Sequence, residues 1–156
     1  MARAVCALPA VNRIPLCVGV AALMVWCASS AGCRSASSEP NPEAKTRLTK
    51  LLSLYRAYVE RNKAGPPGEQ ALRDFGQKLS AKERDEYLIG DDLDSIFTSP
   101  RDQQKYAVRY NLKLEPGGPT RAVAWEATGH NGKRFVALSI GYVEEYDEET
   151  FKEYNK

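Results

Sequence analysis

Tyr106-Ala-Val-Arg-Tyr-Asn-Leu-Lys-Leu114 is the stretch on which the fold turns. Tyr106, Val108, Tyr110, Leu112 and Leu114 alternate with Ala107, Arg109, Asn111 and Lys113, a period of two that puts the large apolar side chains on one face of a strand. The polar opposite face makes this a half-buried antiparallel strand, since strands of parallel sheets are apolar on both faces. Ahead of Phe97 the apolar residues recur with a helical period instead. The switch divides the folded region into a helical half followed by a sheet half.

Downstream, Glu115-Pro-Gly-Gly-Pro119 predicts a turn, and Arg121 to Thr128, carrying Val123 and Trp125, a second strand. His130-Asn131-Gly132-Lys133 then offers Asn-Gly, whose tolerance of positive φ at both central positions suits a two-residue hairpin. Arg134 to Ser139 and Tyr142 to Tyr146 read as strands three and four, joined through Gly141. Asp147 is placed to cap a last short helix, with Glu148 and Glu149 at its positive end and Phe151 docking back.

Upstream, Leu48, Leu51, Leu52, Tyr55, Tyr58 and Val59 form one apolar stripe and predict a helix from about Pro42 to Asn62, ended by Ala64-Gly-Pro-Pro-Gly68. The stripe is expected to pack on the domain's own core; the alternative for a basic amphipathic helix is a membrane surface. A second helix runs from Glu69 to about Leu79. Ser80-Ala-Lys-Glu83 is a capping box that starts a third, reaching about Leu88 and closed by Gly90. Asp91, Asp92 and Asp94 lack the alternating ligands and distal glutamate of a calcium loop, and read as a solvated loop or a cap. The expected fold is α+β: N-terminal helices, a four-stranded antiparallel β-meander and a short C-terminal helix.

Further out, Ile14 to Ala28 is apolar and uncharged, follows Arg3 and Arg13, and closes on Ser30-Ala-Gly-Cys33. At about 15 residues it is shorter than the roughly 20 needed to span a bilayer, and Pro15 and Gly19 disfavour a spanning helix. The segment resembles a bacterial lipoprotein signal, with Ser30 standing where a branched aliphatic residue is usual. That resemblance implies a signal peptide over residues 1–32, a lipid on Cys33, and a cell-envelope protein anchored in the cell membrane or outer membrane and facing the periplasm or exterior. The alternatives are an ordinary signal peptide cut near Ala28 or Ala31, and an uncleaved anchor. Residues 33–43, rich in serine with Pro40 and Pro42, are expected to be a flexible spacer, and 44–156 a single domain.

Arg3 and Arg13 are the only charged residues ahead of Cys33, so the chain's net charge of +2 belongs to the export segment. The remainder is balanced and its charges interspersed, which gives no electrostatic footprint for a nucleic acid. All four cysteines, Cys6, Cys17, Cys27 and Cys33, lie at or before the expected cleavage point. The domain therefore has no disulfide framework, no thiol nucleophile and no cysteine metal site.

Phe97-Thr-Ser-Pro-Arg-Asp102, Tyr106-Ala-Val-Arg-Tyr110, Gly132-Lys-Arg-Phe-Val136 and Gly141-Tyr-Val143 occur in an order and spacing that resembles a family of small signal-bearing exported proteins recurrent in planctomycete genomes. The likeness covers roughly residues 72–152 and departs at Gln103-Gln-Lys105 and at Ile140-Gly141. It implies fold and location, and no established activity. The strand layout also resembles the C-terminal heads of pilin-like proteins, without a prepilin-type start.

Candidate chemistry is sparse. His130, the one histidine, falls at the hairpin tip, apart from any nucleophile and orienting carboxylate. Ser99 lacks a Gly-x-Ser-x-Gly elbow and reads with Pro100, Arg101 and Asp102 as a type I turn whose side chains fasten the backbone. Arg101, Arg109, Arg121 and Arg134 either converge on an anion or pair with Glu126, Glu144 and Glu145 across strands; pairing is the reading preferred here. Trp125 belongs to the core or to a half-exposed aromatic face. No phosphate loop, HExxH or CxxC is present, and no cofactor or metal is implied. The expectation is a non-enzymatic binding or scaffolding module, tethered to the membrane by its lipid and meeting an envelope protein partner through Arg101, Asp102, Arg109 and Trp125. A small hydrolase dependent on His130, or a pilin-head-like structural component, is the alternative.

Overall fold

A computed structural model describes residues 41–156. The signal segment, Cys33 and most of the spacer lie outside the described residues. Helix α1 spans Pro42–Asn62, α2 Glu69–Lys78 and α3 Ala81–Glu86; strands follow at β1 Ala107–Val108, β2 Ala122–Trp125, β3 Lys133–Leu138 and β4 Val143–Asp147, then helix α4 Glu148–Tyr154. The strands form one antiparallel sheet in the order β1-β2-β3-β4, the α+β meander expected from the change of period.

Local chemistry sets the helix ends. The Asn41 side chain accepts the Glu43 N–H, and Pro42 occupies the first turn, where its missing N–H costs nothing. Lys63, at φ 57, turns the chain out of α1. The capping box of Ser80 and Glu83 is complete, and Asp147 caps α4 through the Thr150 N–H. In the Asp91–Ser95 loop, Asp92 accepts the Ser95 N–H and Asp94 pairs with Arg73. No cluster of metal-ligating side chains occurs among the described residues.

α1 is the keystone of the main core. Leu48, Leu51, Leu54 and Tyr55 are buried against Val123, Phe135, Ala137 and Val143 of the sheet and against α2 and the 3₁₀ turn Ser95–Phe97. The stripe thus faces protein, which excludes the membrane-surface alternative for it. Among the described residues, no helix is long and apolar enough to cross a membrane. The opposite sheet face, with Ala122, Val136 and Leu138, is covered by Phe151 of α4 and flanked by Trp125 and Tyr146. Alternate residues of β3 therefore enter two different clusters, and the strand is buried on both sides.

The first strand differs from expectation. The alternation over Tyr106–Leu114 predicts a long strand, but the ladder with β2 pairs only Ala107 with Trp125 and Val108 with Ala124, ending on the Arg109 N–H to Val123 carbonyl bond. Helix α1 captures the rest of the segment. The Tyr55 hydroxyl donates toward the carbonyls of Arg109 and Leu112 and accepts the Leu112 N–H, while the Asn111 N–H reaches the Pro66 carbonyl. Asn111 takes a positive φ of 59 to make the bend, which asparagine tolerates. Leu112 and Leu114 still pack on the core, so the side-chain pattern persists where the strand does not. The turn between β2 and β3 matches its prediction: Asn131 and Gly132 have φ of 52 and 74, the mirror-image turn that Asn-Gly favours.

Candidate functional site

Ser99-Pro-Arg-Asp102 sits where the helical half meets the sheet. Ser99 and Glu126 are wholly buried. The Ser99 hydroxyl donates to Glu126 Oε1 at 2.8 Å, and the Phe135 N–H donates to Oε2 at 2.9 Å. The Arg101 guanidinium, 6% exposed, lies 4.6 Å from the centre of the Phe135 ring. It donates to Glu145 at 2.6 Å and to the Lys133 carbonyl, with its Nε 3.5 Å from Glu126. Asp102 accepts the N–H groups of Gln104, Thr128 and Gly129. Beneath them the Tyr106 hydroxyl bonds the Ala44 carbonyl of α1; burial, the largest cause, pushes this phenol above its ordinary range.

This arrangement fastens the turn to the β2–β3 hairpin. Asp102 is spent on three backbone N–H groups and Arg101 on Glu145 and the Lys133 carbonyl, its buried Nε alone making no hydrogen bond, and the Ser99 hydroxyl is buried on Glu126. Arg109 donates to the Asn155 and Lys156 carbonyls, with its guanidinium 6.0 Å from the Trp125 ring; Trp125 packs on Phe151 at 5.5 Å. Arg134 pairs with Glu148 at 2.6 Å. Arg101, Arg109 and Arg134 thus go to three different sets of partners and do not gather on an anion. Of the pairing expected with Glu126, Glu144 and Glu145, only Arg101 takes part, with Glu126 and Glu145; Arg134 goes instead to Glu148 of α4, and Arg109 and Arg121 have no carboxylate partner among the described residues. His130 is exposed at the hairpin tip, its backbone paired with Lys133.

A second surface has its chemistry unspent. Three large apolar side chains among the described residues are prominently exposed: Leu88 at 73%, Ile140 at 53% and Tyr142 at 64%. Leu88 and Ile140 each line a groove with Arg56 of α1, and Tyr142 follows Ile140 across Gly141. Leu88 and Arg56 line one groove, with Ser53 and Glu60. Ile140 and Arg56 line a larger one of about 600 Å³, whose far wall is Leu114–Gly118. Between Ile140 and Tyr142, Gly141 has φ 105, and a Cβ there would collide with the Arg56 guanidinium. Through Leu114, Glu115, Gly118 and Ser139 the larger groove continues into a third of about 370 Å³, lined by Lys113 and Arg121.

The arginines separate on this surface. Arg47, Arg61, Arg73, Arg84, Arg101 and Arg134 each have a carboxylate within ion-pair distance. Arg109 is held by carbonyls. Among the described residues, the guanidinium groups of Arg56 and Arg121 have neither, and both line the continuous groove.

Sequence reasoning passed over Arg56, Leu88, Ile140 and Tyr142. One signal was available: Leu88 and Ile140 flank Gly90 and Gly141, at element ends where polar residues ordinarily meet water. No family model, curated protein or solved structure matches the chain.

Proposed function

We propose that this chain is a membrane-tethered extracytoplasmic lipoprotein whose domain acts as a non-enzymatic binding module. The observation that carries the binding reading is the exposure of Leu88 and Ile140 beside Arg56, whose guanidinium has no partner among the described residues. Soluble surfaces bear scattered apolar residues, whereas a cluster at one groove marks a contact site. The tether rests on the Ser30-Ala-Gly-Cys33 signal and on the polar spacer before α1. The interaction surface proposed is accordingly the one around Arg56, in place of Arg101, Asp102, Arg109 and Trp125 named from the sequence.

A photo-reactive amino acid placed at Ile140 or Tyr142 of the full-length protein in its own membranes tests the binding reading. A discrete adduct from these positions, and none from exposed Gln77 on α2, is the expected result. Absence of any adduct, or ester, glycoside or peptide turnover abolished by His130→Ala, overturns it. For the tether, incorporation of a fatty-acid analogue is expected to depend on Cys33. Label retained by Cys33→Ser removes that half of the proposal.

A further inference from the structure

We infer that the groove between α1 and the Leu114–Gly118 and Ser139–Tyr142 segments receives a polypeptide segment in which a carboxylate sits beside an apolar or aromatic side chain. The inference rests on the binding-module reading and specifies the partner's chemistry.

Charge complementarity sets the first requirement. An unpaired guanidinium is a planar donor fork that matches a carboxylate, and among the described residues Arg56 and Arg121 are the two arginines so placed. Glu60 and Glu115 line the same groove and repel a uniformly anionic ligand such as a polyphosphate or an anionic lipid surface. Isolated carboxylates spaced by uncharged residues satisfy both conditions. The second requirement is apolar: Ile140 and Leu88 stand on either side of Arg56, so a ligand whose carboxylate reaches Arg56 must lay a neighbouring side chain on one of them.

Leu88 adds an independent sign of use. It follows the end of α3 at φ 57, where the Ile89 N–H closes back on the Arg84 carbonyl. Glycine is the residue this left-handed cap favours. Here a branched apolar side chain occupies a strained backbone position and points into solvent. A surface contact accounts for both departures. The grooves flank residues 53–60, the half of α1 remote from Pro42, and a partner reaches them clear of the end that leads to the spacer.

The test uses full-length protein in detergent micelles and a phage library of random short peptides. Enriched sequences are expected to combine Asp or Glu with Leu, Ile, Phe or Tyr. Their binding is expected to fall about tenfold or more in Arg56→Glu and in Ile140→Asp, and to be unchanged in Lys82→Glu, an exposed control on α3. A peptide with its carboxylate exchanged for lysine should regain affinity for Arg56→Glu. Basic consensus peptides, or no enrichment, overturn the inference. Acidic peptides indifferent to both variants do so as well, while leaving a binding module with its site elsewhere. Concentration-dependent self-association abolished by the same substitutions would make a second copy the occupant, and also overturns it.

Discussion

Replacing Glu126 with alanine removes the acceptor at the centre of the clasp between the helical and sheet halves. Two buried donors lose their partner: the Ser99 hydroxyl at 2.8 Å and the Phe135 N–H at 2.9 Å. A hydrogen bond to a charged acceptor contributes about 1.5–3 kcal/mol, and stranding its donor carries the desolvation cost of that group. Arg101, 6% exposed, would keep Glu145 at 2.6 Å, so its charge is not orphaned. Breaking one side of such a buried pair typically costs about 3–5 kcal/mol, and the retained Glu145 contact places this variant at the lower end, about 3 kcal/mol. For a domain of this size that lowers the melting temperature by roughly 10 °C. Circular dichroism melts of wild type, Glu126→Ala, Arg101→Met and the double variant test the argument. The double variant should be less destabilised than the two singles added together, because the pair is lost once. A Glu126→Ala melt within about 2 °C of wild type, or strict additivity, would refute it.

Four further outcomes follow from the geometry. Asp102→Ala should cost about 0.5–2 kcal/mol in urea unfolding, since three backbone N–H groups lose an acceptor but those on exposed residues regain water. Leu88→Gly should raise stability by about 0.5–1 kcal/mol by relieving the left-handed cap, while weakening peptide binding; a lower melting temperature would count against this account of Leu88. Gly65→Ala should destabilise by about 1–3 kcal/mol by chemical denaturation, because its Cβ would lie 2.5 Å from the Leu112 backbone, which Tyr55 holds in place. Stability measured against pH should fall at both extremes. The bonds from Ser80 and Arg61 hold the Glu83 carboxyl at about 2, below its ordinary 4.5, so its contribution is full above pH 4.5 and lost as pH drops toward 2. Burial raises the Tyr55 phenol from 10.0 to about 12, so the stability of its neutral form holds below pH 10 and is lost on approach to 12.

The sequence by itself determined the elements whose signals are local. The helix Pro42–Asn62 follows from its apolar period, the third helix from its capping box, and the hairpin from Asn131-Gly132. Each depends on groups within a few residues, so no distant contact is needed to read it. The order of helices, meander and closing helix followed from these.

The tertiary structure decided what depends on long-range partners. Tyr106–Leu114 carries a strand's alternation, yet the ladder stops after Val108 because Tyr55, over fifty residues earlier, takes the Leu112 backbone. Ser99–Asp102 reads locally as a turn whose side chains fasten its own backbone, with Arg101 and Asp102 offered to a partner. Glu126 and Glu145 turn it inward, because the buried Glu126 carboxylate needs the donor that Ser99 supplies and the buried Arg101 guanidinium needs the acceptor that Glu145 supplies. Arg56 is indistinguishable in sequence from the arginines around it. Only the placement of the carboxylates among the described residues shows which guanidinium groups are matched within the fold and which face the groove without such a partner.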